Sequence, residues 1–402
     1  MAKAAGALAP SAAFADPSAD PSANAAANPT AEIPPNPPAN PPADLPVDWP
    51  QRQHSRAINA GGWRWHVQVA GRGPVLVLLH GTGASAHSWA ELLPALAAQY
   101  TVVVPDLPGH GYTRGERGPA APADLTLPRI VTALRALLIA LHLPPPQAVA
   151  GHSAGAALAL RWALDLGRER GLHPDGHPDG QPDRDKTTPP GMAAPLVLGF
   201  APSLVAPPAL YTQWVAPWMT PLSTAGWVAG LTARWAGPSG LVDRLLDSTG
   251  SSLSTAQRMP YRRLFADAGH VRGSVGFMAA ADLPRLLSDA RLAGSAGQPA
   301  GAAPRCAFVL GTRDSWVPAS ALLPVIGRDL PQAEVLQWEG GHLVHEERAA
   351  EAAAWMLARM ADDRRSADDG VDRSADDSAK DSAKDSADHS ARDSAKDSAA
   401  AP

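Results

Sequence analysis

The chain has 402 residues, 34 Lys plus Arg against 39 Asp plus Glu, a net charge of −5 and one cysteine, Cys306. A slightly acidic balance without a basic stripe argues against a nucleic-acid partner, and a lone cysteine excludes an intrachain disulfide framework and fits a reducing compartment. No apolar run approaches the ~20 residues of a membrane span, and the N-terminal "MAKAAGALAPSAAFA" lacks a Leu-rich secretory core, so a cytoplasmic protein is expected.

Residues 1–46, as in "NPPANPPADLP", are mostly Ala, Pro, Asn, Asp and Ser. They carry too little apolar surface to offset the entropy of ordering, and disorder is expected there. Folding begins with "WRWHVQV", Trp63 to Val69, whose strict alternation predicts a half-buried strand. "VLVLL", Val75 to Leu79, is apolar throughout, as in a strand buried on both faces. It runs into His80-Gly81-Thr82-Gly83, and a helix is predicted around Trp89 to Ala98. A strand at Tyr100 to Val104 then leads into the loop "PDLPGHG". Thr126 is placed to cap a helix with Ile130, Val131, Leu134, Leu137, Leu138 and Leu141 on one face.

"QAVAGHS" reads as a short strand, and "AGAALALRWALDLG" as a helix ending at Gly167. The low-complexity piece at 173–185, "HPDGHPDGQPDRD", reads as a surface insertion, since a metal site needs ligands held by a supporting shell. Ala194 to Phe200 is another buried strand. From 201 to 297 the alternation gives way to helical, Pro-broken segments rich in Trp, Met and Phe. It resumes with strands at Ala307 to Leu310 and Glu334 to Trp338 and a last helix to about Ala361. The tail 363–402 repeats "DSAK", mixes both charges and is expected to be solvated.

The pattern is α/β: a mostly parallel, doubly wound sheet with an inserted helical cap. The expected organisation is a core over 47–200 and 298–362, with the cap at 201–297.

Three turns carry the chemistry. Gly151-His152-Ser153-Ala154-Gly155 is a G-x-S-x-G between a strand and a helix, the setting of a serine nucleophile on a sharp turn. A serine needs a base, and the base an orienting acid. Asp314 in "GTRDSWVP" and His342 in "EGGHLVHEE" each follow a later strand, in the order nucleophile, acid, base. The backbone N–H groups of Ala154 and Thr82 are the expected oxyanion donors. His345 is a weaker candidate base, and "HLVHE" does not match the zinc-protease orders. Asp106 and His110 are read as holding their loop. Trp214, Trp218, Met219 and Phe277 are candidate walls of an apolar substrate pocket. No metal and no cofactor are expected.

"HGTGASAHSW", "VVPDLPGHGYTRG", "GHSAGAALALR" and "GGHLVHEE" resemble the α/β-hydrolase superfamily. "DWPQRQHSRAINAGGWRWHVQ" and "LLDSTGSSLSTAQRMPYRRLF" resemble one branch of it, the magnesium-chelatase accessory proteins of bacteriochlorophyll biosynthesis. The resemblance runs from about Asp48 to Met360. It implies a small apolar or tetrapyrrole-like substrate, magnesium-chelatase subunits as partners, and a place in the cytoplasm or peripheral to photosynthetic membranes. It leaves open a serine hydrolase acting on an ester, a non-catalytic porphyrin-binding or chelatase-assisting protein, and a general esterase, cofactor-free haloperoxidase or carbon–carbon bond hydrolase. Dehalogenases and epoxide hydrolases use Asp at the elbow, and Ser153 argues against them.

Overall fold

A computed structural model describes residues 40–171, 194–205, 240–295 and 303–365. The insertion 173–185, the candidate pocket residues Trp214, Trp218 and Met219, the chain before 40 and the chain after 365 lie outside the described residues.

The strands are β1 (Ser55–Ala60), β2 (Trp63–Ala70), β3 (Val75–Leu79), β4 (Thr101–Pro105), β5 (Arg114–Gly115), β6 (Ala148–His152), β7 (Leu196–Phe200), β8 (Cys306–Gly311) and β9 (Glu334–Trp338). They form a sheet in the order β1-β2-β4-β3-β6-β7-β8-β9, with β5 paired to β2. The run from β4 to β9 is parallel, and β1, β2 and β5 add an antiparallel edge. The expected mostly parallel, doubly wound sheet is therefore present. β1 was not foreseen: "SRAINA" shows no clean alternation, and its pairing with β2 supplies the order.

β3 is apolar throughout because both of its faces are covered. Val75, Val77 and Leu79 face one core with Ile130, Leu134, Leu160 and Leu322. Leu76 and Leu78 face the other with Trp89, Leu93, Ala352 and Met356. The first layer comes from α2 (Leu127–Ala140), α3 (Ala154–Gly171) and α8 (Ala319–Asp329); the second from α1 (Leu93–Ala97) and the helix over 349–365.

Several boundaries move. α3 runs on to Gly171, because Gly167 keeps helical hydrogen bonding. Thr126 stands at the N-cap of α2 with extended backbone, but its side chain makes no capping hydrogen bond. The described residues begin at 40, ahead of the expected start of the core at 47. Ala57 N–H donates to Asn40 O at 2.7 Å, and Leu45 and Trp49 pack on Leu264. These apolar anchors, with Asp48 paired to Arg263 at 2.6 Å, hold this Pro-rich strap. At the other end the last helix reaches 365, with Asp363 paired to Arg305.

Between β7 and β8 lie α4 (Leu241–Asp247), α5 (Thr255–Phe265), α6 (Ala268–Ala280) and α7 (Leu283–Ala293). α7 packs against α3 and α8, so this last part of 201–297 continues a layer of the sheet. No helix among the described residues is long and apolar enough to cross a membrane.

Candidate active site

Parallel register brings the important turns to one edge. Leu79 pairs with Gly151, His152 with Phe200, Phe200 with Val309, and Gly311 with Trp338. The loops after β3, β6, β7, β8 and β9 therefore leave side by side, where open α/β sheets place their sites.

Ser153 is the turn between β6 and α3, with φ at +51°. A side chain in this left-handed region costs about 1–2 kcal/mol, so the surroundings must hold it. Its N–H donates to Phe200 O at 2.9 Å, and its carbonyl accepts from Ala156 and Ser203 N–H at 3.1 Å each. The two glycines of the motif have separate reasons. A Cβ on Gly151 would lie 2.2 Å from the Gly155 carbonyl carbon. A Cβ on Gly155 would lie 2.2 Å from Leu79 O and 2.7 Å from His80 O. Gly155→Ala is thus expected to cost about 2–3 kcal/mol through overpacking, read as a Tm lower by roughly 5–10 °C. Gly327→Ala, in α8 with nothing within 4 Å of the added carbon, is the control and leaves Tm equal or slightly higher.

Ser153 Oγ lies 3.0 Å from His342 Nε2, and His342 Nδ1 lies 2.8 Å from Asp314 Oδ2. A carboxylate only accepts, so Nδ1 carries the proton and Nε2 presents its lone pair to the serine hydroxyl. Asp314 Oδ1 is occupied separately, accepting from Trp316 N–H at 2.8 Å and Val317 N–H at 2.9 Å. Ser153, Asp314 and His342 are all buried, at 8%, 6% and 4% exposure. Residues expected from their order along the chain are thus brought into one hydrogen-bonded line.

The loop after β3 is aimed by His80. Its Nε2 accepts from Leu107 N–H at 2.8 Å, so Nδ1–H donates to Gly81 O, also at 2.8 Å. Ala84 N–H donates to the same oxygen at 3.1 Å. The peptide is planar and trans, so fixing Gly81 C=O points Thr82 N–H the opposite way. Thr82 and Ala154 N–H find no acceptor among the described residues. A Cβ on Gly81 would sit 3.1 Å from Ser153 Cβ, which shows how close the loop runs to the serine. Burial lowers the basicity of His80 and keeps it neutral.

Asp106 and His110 do not bond each other. Asp106 accepts from Ala86 N–H at 2.8 Å, Tyr112 N–H at 2.7 Å and His66 Nδ1 at 2.8 Å, while His110 Nδ1 donates to Pro108 O at 3.1 Å. Both hold loop backbone. Burial works against the Asp106 charge, but His66 and these N–H groups hold its carboxyl well below the usual range. His345 is fully buried and stacked 4.4 Å from His152, and neither ring nitrogen makes a hydrogen bond among the described residues; the histidine on Ser153 Oγ is His342. Phe277 is fully buried, edge-on to His110 at 5.8 Å in the same apolar core as Leu125. It offers no free face to a ligand in this conformation. No group of three or more His, Cys, Asp or Glu among the described residues is arranged to hold a metal.

Sequence reasoning passed over four neighbours. Ser203 Oγ lies 3.1 Å from Ser153 Oγ. His152 Nε2–H donates to His342 O at 3.0 Å, tying the residue before the nucleophile to the histidine loop. Ser251 Oγ and Thr249 O accept from Leu343 and His342 N–H at 2.8 and 3.0 Å. Only Ser203 had a signal, its place directly after a strand at the carboxyl edge.

A model of the alpha/beta hydrolase family matches residues 76–355. The magnesium-chelatase 30 kDa subunit of Rhodobacter capsulatus is 33% identical over 308 residues, covering 74% of this chain and 91% of that protein. A pimeloyl-[acyl-carrier protein] methyl ester esterase of Stenotrophomonas maltophilia is 40% identical over 107 residues, but these span only 27% of this chain and 37% of the esterase. Epoxide hydrolase I of potato, Solanum tuberosum, superposes with a TM-score of 0.56 at 19% identity, over 77% of this chain and 99% of that one, a likeness of fold. The chain belongs to the alpha/beta hydrolase family and is a relative of the magnesium-chelatase 30 kDa subunit.

Proposed function

We propose that this protein is a serine hydrolase that cleaves an ester or related bond of an apolar or tetrapyrrole-like metabolite, acting in the cytoplasm at the magnesium-insertion step of bacteriochlorophyll synthesis. The observation that carries the reading is the unbroken line from Asp314 through His342 to Ser153 Oγ. Ser153 Oγ attacks the carbonyl carbon while His342 Nε2 takes its proton. The Asp314 carboxylate, accepting from Nδ1–H, stabilises the imidazolium. Thr82 and Ala154 N–H hold the developing oxyanion, aided by the N-terminus of α3. The tetrahedral adduct collapses, His342 returns the proton to the leaving alcohol oxygen, and an acyl-Ser153 ester remains. Water, deprotonated by His342, then releases the acid. The ester preference is supported by the likeness to a methyl ester esterase over 107 residues, and the pathway by the chelatase relative.

A fluorophosphonate probe is expected to label Ser153 in the folded wild type and to leave Ser153→Ala untouched. Folded wild type that takes up no probe refutes the hydrolase reading.

Coverage of 91% of the chelatase subunit favours one other reading, a non-catalytic assistant of the chelatase. Complementation of a deletion strain separates the two. If Ser153→Ala restores pigment as well as wild type, the pathway uses the fold and not the chemistry.

A further inference from the structure

The loop that offers Thr82 N–H is gripped twice, and the second grip comes from outside the sheet. His270 lies in the first turn of α6, in the segment between β7 and β8. Asp267 Oδ1 caps that turn by accepting from His270 N–H at 2.7 Å. The ring reaches 187 residues back along the chain, with Nε2 3.2 Å from Gly83 O. Gly111 N–H donates to its Nδ1 at 3.0 Å. A backbone N–H can only donate, so Nδ1 is the lone pair and Nε2–H must be the donor to Gly83. Full burial removes water from the charged form and pulls the imidazole down to about 4, which keeps this tautomer in place at neutral pH.

Two carbonyls of the turn at 81–84 are thereby pinned. His80 and Ala84 N–H hold Gly81 C=O; His270 holds Gly83 C=O, in the peptide whose own N–H is Ala84's. Gly83 has φ at +79°, a soft position that would otherwise let the loop pivot. Phe265 of α5 closes it from above: a Cβ on Gly83 would stand 3.2 Å from the ring tip, and the ring lies 5.6 Å from His270.

We propose that His270 is a positioning residue for the oxyanion donor. Its bond to Gly83 C=O keeps Thr82 N–H in line with Ser153, which makes the inserted segment part of the catalytic apparatus as well as a neighbour of it. The proposal rests on the serine-hydrolase reading.

The test uses the full chain, 4-nitrophenyl butyrate and thermal melts, with His270→Gln, His270→Asn and His270→Phe. A Gln amide N–H reaches the Nε2 place and keeps the Gly83 bond. An Asn oxygen occupies the Nδ1 place, keeps the Gly111 bond and loses Gly83. Gln is expected to stay within about 3-fold of wild-type kcat. Asn and Phe are expected to lose roughly 10- to 100-fold in kcat, with KM within about 3-fold, as for an interaction realised in the transition state. Asn at wild-type kcat, Gln as slow as Asn while both melt like wild type, or a loss confined to KM overturns the proposal. A wild type that neither turns over the ester nor takes up fluorophosphonate overturns the hydrolase reading, and this one with it. A wild type that does both beside an unimpaired Asn variant overturns this one alone.

Discussion

Asp314→Asn is expected to lower kcat on a 4-nitrophenyl ester by about 10⁴-fold while the protein stays folded. The size follows from which oxygen of Asp314 does what. Oδ1 accepts from Trp316 and Val317 N–H, and only an oxygen can replace it there. The Asn amide must therefore turn its NH₂ toward His342. That donor forces the lone pair of His342 onto Nδ1 and its proton onto Nε2, facing Ser153. A protonated Nε2 cannot take the serine proton. Ser153→Ala and His342→Ala are expected to fall at least as far, and the triple variant no further than the worst single one, because the three act as a unit. Steady-state kinetics with a fluorophosphonate titration of active sites reads this directly. Asp314→Asn retaining more than about a tenth of wild-type kcat would remove Asp314 from the mechanism.

The second large effect is acid unfolding. His80, His87, His110, His152, His270 and His345 are all buried and held neutral by burial, with His87 and His345 brought down to about 3 and His270 to about 4. Their folded values lie below the unfolded value of about 6.5, so their neutral state contributes stability that is present above that pH. That stability is lost as pH falls below 6.5 toward the folded values, because the unfolded chain takes up protons and the folded chain does not. Each histidine contributes a slope of up to about 1.4 kcal/mol per pH unit. Acting together on a domain of about 5–15 kcal/mol, they are expected to unfold it near pH 5. Circular dichroism against pH measures the midpoint, and a chain still folded at pH 4 would contradict this account.

Glu346 works on the other side of the curve. Burial raises it to about 8, against the opposing bond from Tyr261 OH at 2.5 Å, so the neutral acid is the folded form at pH 7. Its contribution is full below about 4.5 and declines as pH rises through about 8. Glu346→Gln should therefore gain in Tm over wild type between pH 6.5 and 8.5, and a constant gap across that range would show that Glu346 is not protonated in the fold.

Much of this molecule could be read from residue order alone, for a local reason. Val75–Leu79 is a strand with the bounds its apolar run indicates, since a strand buried on both faces must be apolar at every position. Glu334–Trp338, at the sheet's edge and only partly buried, also has the bounds expected. Ser153, Asp314 and His342 were legible because each follows a strand, and a parallel sheet delivers all such loops to one edge. Gly151 and Gly155 were legible because a turn this tight excludes a Cβ.

The remaining features depend on groups far apart in sequence. Ser203 meets Ser153 across 50 residues, His152 meets the His342 carbonyl across 190, and His270 meets Gly83 across 187. No periodicity encodes such pairs, because periodicity reports which face of one element is apolar and nothing about which element covers it. Residues 40–46 read as unfoldable for the same reason: Leu45 is too little apolar surface for a core of its own, and becomes an anchor only beside Trp49, Leu264 and Tyr112. Order along the chain thus determined the sheet, the elbow and the identity of the reactive groups. Tertiary packing alone decided their tautomers, by setting a backbone N–H or a carboxylate against one nitrogen of each ring.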